Sequence, residues 1–123
     1  MKRKVTWSGF YSSYAKTIVN NNVQDKSGIY LLWVKLESGR WKVTYVGQAK
    51  NIRIRLLEHL SNNEENQCLK NDVNKYIYGF EYAIVSNKKD RDGVENYLYN
   101  YYEPECNQIS PPKAQSIEIN LPD

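Results

Sequence analysis

The sequence predicts an α+β domain: a small three-stranded antiparallel sheet flanked by helices, in the order β-β-α-α-β-α behind an extra N-terminal helix. Three observations point there. Two runs rich in Ile, Leu, Trp, Val and Tyr, 28–36 and 41–46, stand on either side of the turn signal Glu37-Ser38-Gly39-Arg40 and read as a hairpin. A third such run, 77–85, returns after two segments of helical character. Runs of strands mixed with helices at these short spacings leave room for one layered domain rather than alternating parallel units.

Each element has its own warrant. Residues 11–19 read as a short helix closed by the polar run Asn20-Asn21-Asn22. The first strand, 28–36, is apolar on both faces. The second alternates Trp41, Val43 and Tyr45 against Lys42, Thr44 and Val46. Asn51 offers an N-cap, after which Ile52, Leu56 and Leu60 recur at helical spacing. Residues 67–75 form a further helix and 77–85 the third strand. Asp90 or Asp92 caps a final helix from about Gly93 to Tyr102, which Pro104 terminates. The expected division is an N-terminal extension over 1–27, a core domain over 28–107 and a tail over 108–123, extended or partly disordered.

At 123 residues the chain suits one modest core. The net charge of +3, from 17 Lys and Arg against 14 Asp and Glu, permits a nucleic-acid partner without demanding one. The densest basic cluster, Lys2-Arg3-Lys4, serves equally as a solubilising tail. Eleven tyrosines against 2 phenylalanines suit a small core that opens onto a wet groove. Cys68 and Cys106 show no metal-ligand spacing and are expected as reduced thiols, and a structural zinc site would want about four ligands. No apolar run approaches the roughly 20 residues that span a bilayer, and no signal-peptide core follows Met1, so the expectation is a soluble cytoplasmic protein.

The hairpin carries the first chemistry. If Ser38-Gly39 is a two-residue turn, opposed residue numbers sum to 77, and Tyr30 and Tyr45 become diagonal neighbours on one sheet face. A three-residue loop would reverse that parity. Two core tyrosines would look the same in sequence. On the next helix Arg55 and His59 lie four apart and project from one side, beside the apolar stripe. Singly, Arg55 serves as well for a solvated charge, and His59 for a hydrogen-bonded helix residue.

Together these residues resemble a known family. Gly28-Ile29-Tyr30 followed by Tyr45-Val46-Gly47 is similar to the paired triplets of the GIY-YIG endonucleases. The block from Tyr45 to Arg55 resembles the family's segment after the second triplet. His59 falls where homing and restriction members carry histidine. Glu95, then Pro104, then Asn107 resembles the family's closing pattern. The loop between the triplets is longer than the family norm, and Gln48 stands where some repair members have lysine.

The resemblance implies a metal-dependent endonuclease that hydrolyses phosphodiester bonds in nucleic acid, with DNA ranked ahead of RNA but the choice between them left open. It implies catalytic roles for Tyr30, Tyr45, Arg55, His59 and Glu95, with Glu95 holding Mg²⁺ or Mn²⁺. Arg55 would clamp the scissile phosphate, with Gln48, Lys50 and Arg53 as further substrate contacts. Gly28, Gly47 and Asn107 are supporting residues, Asn107 bracing Glu95 or its own turn. Tyr30 would activate the water, its phenolate stabilised by Arg55 and the metal, although the roles of Tyr30, Tyr45 and His59 can be permuted. In the first turn of a helix, Glu95 could equally answer the macrodipole. A non-catalytic nucleic-acid-binding module or a protein-interaction domain on the same fold is the rival reading. A single site cuts one strand, so double-strand cleavage would need a homodimer, a second visit or a recruiting protein partner.

Overall fold

The structure, a computed structural model, describes residues 2–107, 111 and 114–122. The elements are α1 (Lys16–Asn22), β1 (Gly28–Lys35), β2 (Trp41–Ala49), α2 (Ile52–His59), α3 (Gln67–Lys75), β3 (Tyr78–Ile84) and α4 (Lys88–Tyr102). The strands form one antiparallel sheet in the order β2-β1-β3, which is the expected architecture. Central β1 is buried on both faces. Tyr30, Leu32 and Val34 join Ile52 and Leu56 of α2, Leu69 of α3 and Phe80 of β3 on one side. Ile29 and Leu31 join Val46, Val94 and Leu98 on the other, where Ile117 and Ile119 of the C-terminal segment complete the layer. Each such side chain contributes about 1.5–3 kcal/mol when fully buried. Among the described residues no helix is long and apolar enough to cross a membrane.

The hairpin reaches the expected register by a different route. Leu36 N–H donates to the Arg40 carbonyl at 2.7 Å, so the loop holds three residues, with Gly39 at φ +88°. That alone would reverse the parity. A bulge restores it: Leu32 pairs with Tyr45 and Trp33 with Val43, leaving Thr44 as the extra residue. Beyond the bulge Tyr30 faces Gly47, as expected. β2 also continues past its expected end at Val46, because Gly47, Gln48 and Ala49 still have β1 partners.

Three further expectations are corrected. The first helix begins at Lys16, not Tyr11, and runs through the asparagines. The open edge of β3 takes the preceding residues instead: Tyr11 N–H donates to the Phe80 carbonyl at 2.9 Å and Tyr14 N–H to that of Tyr78 at 3.0 Å. The last helix starts at Lys88, capped by Asn87, whose side chain accepts from Asp90 N–H at 3.1 Å. Gly93 is therefore a helix-interior residue, small because the Ile117 side chain crosses it. Cys68 and Cys106 form a disulfide, with Cα atoms 5.3 Å apart across a sequence separation of 38. The first turn of α3 brings Cys68 to Cys106 in the turn after α4, an approach that spacing in sequence does not reveal.

The C-terminal expectation falls partly on 108–110, 112, 113 and 123, outside the described residues. The described part of the tail is extended and packed: Asn120 exchanges side-chain hydrogen bonds with both backbone groups of Val5, at 2.8 and 2.9 Å. Lys2 of the basic cluster faces Glu118 at 3.9 Å.

Candidate active site

β2 is an outer strand, so both sheet faces are within reach of its free edge. The α2 side supplies the tyrosines. Tyr30 is 1% exposed, and its hydroxyl lies 2.7 Å from His59 Nε2. The phenol crosses Gly47, where a Cβ would sit 2.4 Å from both its Cζ and its Oη. Any side chain there would displace the ring, which is the steric reason for glycine at this point. Gly28 answers a similar constraint, since a Cβ there would meet the Ala83 carbonyl oxygen at 2.1 Å. Tyr45 stacks beside Tyr30 at a centroid distance of 6.1 Å and meets the His59 ring edge-on at 5.1 Å. The two phenols are thus diagonal neighbours, as the register requires.

Helix α2 delivers the basic groups. Asn51 caps it by accepting from Ile54 N–H at 3.0 Å, and buried Ile52 and Leu56 fix its rotation. Arg55 and His59 then both face the tyrosines, close enough for the Arg55 charge to favour the ionised form of Tyr45. Arg55 is 36% exposed and lies 3.7 Å from Glu58 and 4.0 Å from Glu64. Arg53, two residues earlier and so about 200° around the helix, faces away. It binds Asp25 at 2.7 Å and Asn20 at 3.0 Å, away from the tyrosine pair. Lys50 is exposed at the bend before the helix.

Glu64 belongs to this cluster and carried no sequence signal. Its side chain is 3% exposed; Oε2 lies 2.9 Å from His59 Nδ1, and Oε1 accepts from Asn66 N–H at 3.0 Å. An acid in an irregular polar run such as 61–66 looks solvated, and only the fold shows that it turns inward. Beside it an open cavity of about 420 Å³ is lined by Arg55, Glu58, Ser61, Asn63, Glu64 and Glu65.

The opposite face supplies the carboxylates. Glu95 stands half-buried on α4, and Asp92 lies one turn earlier on the same helix. The Gln48 amide donates to both, at 3.0 Å to Glu95 and 2.7 Å to Asp92. Gln48 is therefore committed to organising carboxylates rather than left open toward solvent. Buried Arg91, held by the carbonyls of Val85 and Ser86 at 3.0 and 2.8 Å, donates to the Gln48 oxygen at 3.4 Å. In sequence Asp92 reads only as a cap, and Arg91 carries no signal. Asn107 braces neither Glu95 nor its own turn. It accepts from Val46 N–H at 2.9 Å and donates to the Val46 carbonyl at 2.8 Å. The free edge of β2 exposes that unpaired pair of backbone groups, and an amide side chain matches them.

Electrostatics follow burial. Burial pushes the Tyr30 phenol well above its ordinary value, and neighbouring Tyr45 adds to this; Arg55 pulls the other way and does not prevail. Tyr45 is also raised by burial, against Arg55. Arg55 by itself therefore does not offset burial at either phenol. Burial and then Arg55 lower His59 to about 4, opposed by Glu64, so its imidazole is neutral at neutral pH. The Glu95 carboxyl is raised by burial, with Gln48 opposing and Asp92 adding to the rise. The Glu95 charge also raises both phenols, so the carboxylate acts on the tyrosine cluster across the strand edge. A partly desolvated carboxylate near a second acid is a donor set that suits a hard divalent cation.

No family model matches the chain. It is 31% identical over 88 residues to the UvrABC system protein C of Chlamydia muridarum, covering 72% of this chain and 14% of that protein. Against the protein of the same name from Syntrophotalea carbinolica it is 35% identical over 81 residues, 66% of this chain and 13% of the relative. In solved structures, the GIY-YIG N-terminal endonuclease domain of UvrC from Thermotoga maritima superposes with a TM-score of 0.54 at 20% identity. That superposition, of the magnesium-bound form, covers 75% of this chain and 93% of the other. The chain is a GIY-YIG domain. It spans about one seventh of the curated relatives' length, and what the solved structures share with it is the fold.

Proposed function

We propose that this GIY-YIG domain is a metal-dependent endonuclease acting on DNA. The observation that carries the reading is the convergence, around the edge of β2, of an arginine, two phenols and a histidine from one face and a half-buried carboxylate from the other. The magnesium-bound neighbour supports the choice of cation. Glu95 would hold the ion, with Gln48 and Asp92 beside it. Bound there, the cation would neutralise charge on phosphoryl oxygens and on the leaving oxygen.

The chain's own residues supply the rest. Arg55, the most open member of the cluster, binds the scissile phosphate through its planar fork. Tyr45, half-buried and within the influence of the Arg55 charge, meets the attacking water. Tyr30, the residue expected in that role, is too enclosed for it and stands behind as part of the proton path, an exchange the sequence left open. Lys50 serves as an outlying phosphate contact. Arg53, paired to Asp25, is assigned no substrate contact. The same reading places the chain in the cytoplasm with its substrate, and any homodimer or recruiting partner would supply site selection.

The test is plasmid nicking by wild type and Glu95→Ala with Mg²⁺, with Mn²⁺ and with chelator. Metal-dependent nicking that the substitution abolishes is the expected result. Metal-independent nicking, or full activity in the folded variant, would falsify the assignment. DNA binding with no cleavage under any of these conditions would favour the binding-module alternative.

A further inference from the structure

The buried acid that no motif pointed to suggests a role in directing protons. A row of three side chains runs inward from the site: the Tyr30 hydroxyl 2.7 Å from His59 Nε2, and His59 Nδ1 2.9 Å from Glu64 Oε2. Both oxygens of Glu64 are engaged, the second by Asn66 N–H at 3.0 Å, and Arg55 stands 4.0 Å away as countercharge. A neutral imidazole has one donor and one acceptor nitrogen, so the direction of the whole row depends on which end carries the proton.

We propose that Glu64 is a positioning residue that keeps the proton of neutral His59 on Nδ1, so that Nε2 accepts from Tyr30. Both Glu64 oxygens are placed as acceptors, one 2.9 Å from Nδ1 and the other taking Asn66 N–H, and that fixes the tautomer as the buried acid does in a Ser-His-Asp triad. Tyr30 must then donate inward, and its oxygen meets the site with lone pairs only. A proton reaching that oxygen during water activation displaces Tyr30's own proton onto Nε2. The O–H bond of the donor, Tyr45 or the attacking water, breaks as a new one forms on Tyr30; Tyr30's own O–H breaks as the Nε2–H bond forms. The donor's oxygen is left with the electron pair, and the positive charge ends on an imidazolium held against Glu64. Return of the proton by the same path restores the resting state. This role rests on the nuclease reading, whereas the tautomer does not.

The groups that bear on His59 are Tyr30 from β1, Tyr45 from β2, Arg55 on its own helix and Glu64 from the following loop. Burial keeps the ring neutral at neutral pH, so the tautomer is the open variable. His59 is the chain's 1 histidine, and ring-nitrogen NMR of histidine-labelled protein therefore reports it alone.

The expected spectrum for wild type at neutral pH is the Nδ1–H tautomer. In Glu64→Gln one oxygen is replaced by an amide donor, and either Nδ1 or Asn66 N–H loses its acceptor. The expected outcome is a shift toward the Nε2–H form and a fall in nicking rate of about 100-fold. DNA affinity should be unchanged, and Glu64→Asp should restore part of the tautomer and the rate. An Nε2–H tautomer in wild type would overturn the proposal without reference to activity, even if the variant failed to fold. So would a folded Glu64→Gln that takes the Nε2–H form and still nicks at the wild-type rate. Absence of nicking by wild type would count against the nuclease reading instead, and the tautomer would still be decided by the spectrum.

Discussion

The two phenols make different predictions because they are buried to different depths. Tyr45 keeps contact with Arg55 and with solvent, whereas Tyr30 is enclosed and spends its hydroxyl on His59. Tyr45→Phe should therefore lose about 100-fold or more in nicking rate with little change in stability. Tyr30→Phe should lose comparable activity but also about 1–3 kcal/mol, because His59 Nε2 is left without its buried partner. Chemical denaturation of the two variants distinguishes them. His59 adds a pH dependence. Its folded pKa, about 4, lies below the ordinary 6.5, so the unfolded chain binds the proton first. The stability from burying a neutral ring is fully present above pH 6.5 and is lost as pH falls toward 4, by a few kcal/mol at most. Glu95, raised by burial, contributes with the opposite sign over part of that range. Comparison with His59→Gln, whose amide can still bond to Tyr30 and Glu64, isolates the histidine: wild type should lose more urea resistance between pH 6.5 and 5 than the variant does.

Among the elements, those with strong periodicity and a local cap were legible in the sequence. Helix α2 was, because Asn51, Ile52 and Leu56 give a cap and a buried stripe within two turns. Helix α3 was found at its observed limits. What was not legible depends on contacts distant in sequence. Tyr11 and Tyr14 are extended because β3 offers them an edge. Gly93 looked like a helix boundary until Ile117 explained it. Arg55, His59 and the tyrosine pair could be read from helical spacing and register, although that register was reached through two irregularities that cancelled. Glu64, Gln48's engagement and the disulfide could not. Among these long-range ties Asn107 has the most direct bearing on the site, since it holds the backbone of Val46 between Tyr45 and Gly47. Two hydrogen bonds at about 1 kcal/mol each give Asn107→Ala a cost of about 2 kcal/mol. Its melting temperature should drop by several degrees, and its nicking rate by more than that loss of stability alone explains. Unchanged activity would separate the clamp from the chemistry. Cys106→Ser tests the neighbouring tie. Closing a loop of this length is worth about 4 kcal/mol in the chain-entropy picture, so the variant and the reduced wild type should both melt lower. Mass spectrometry should find the untreated chain lighter than the reduced one by two hydrogens.

For the molecule as a whole, the sheet has two open edges that are used in opposite ways. The edge of β2 is held by Cys106, whose N–H donates to the Thr44 carbonyl at 2.8 Å, and by Asn107, and the candidate site residues lie around it. The edge of β3 is covered by the N-terminal segment, through Ser8, Tyr11 and Tyr14. A bare strand edge is a template for pairing with other chains, so this cover protects the fold as well as stabilising it. Tyr14 also reaches the helix that carries the candidate site: its buried hydroxyl donates to the Leu56 carbonyl at 2.5 Å, one residue beyond Arg55. Deleting residues 1–14 would remove the edge cover, the buried Tyr14 ring and the Asn120 clamp together. The expected product melts well below the full chain, since the Tyr14 side chain alone is worth about 1.5–3 kcal/mol of burial. It should also self-associate at concentrations where the full chain does not. A milder change, Tyr14→Phe, keeps the ring and the edge pairing but removes the bond to α2. If the N-terminal segment only covers the sheet, this variant should nick at the wild-type rate. If it also sets the seating of α2, the nicking rate should fall while light scattering still reports the association state of the wild type. A Tyr14→Phe protein that aggregates like the deletion would contradict both, because its edge pairing is intact.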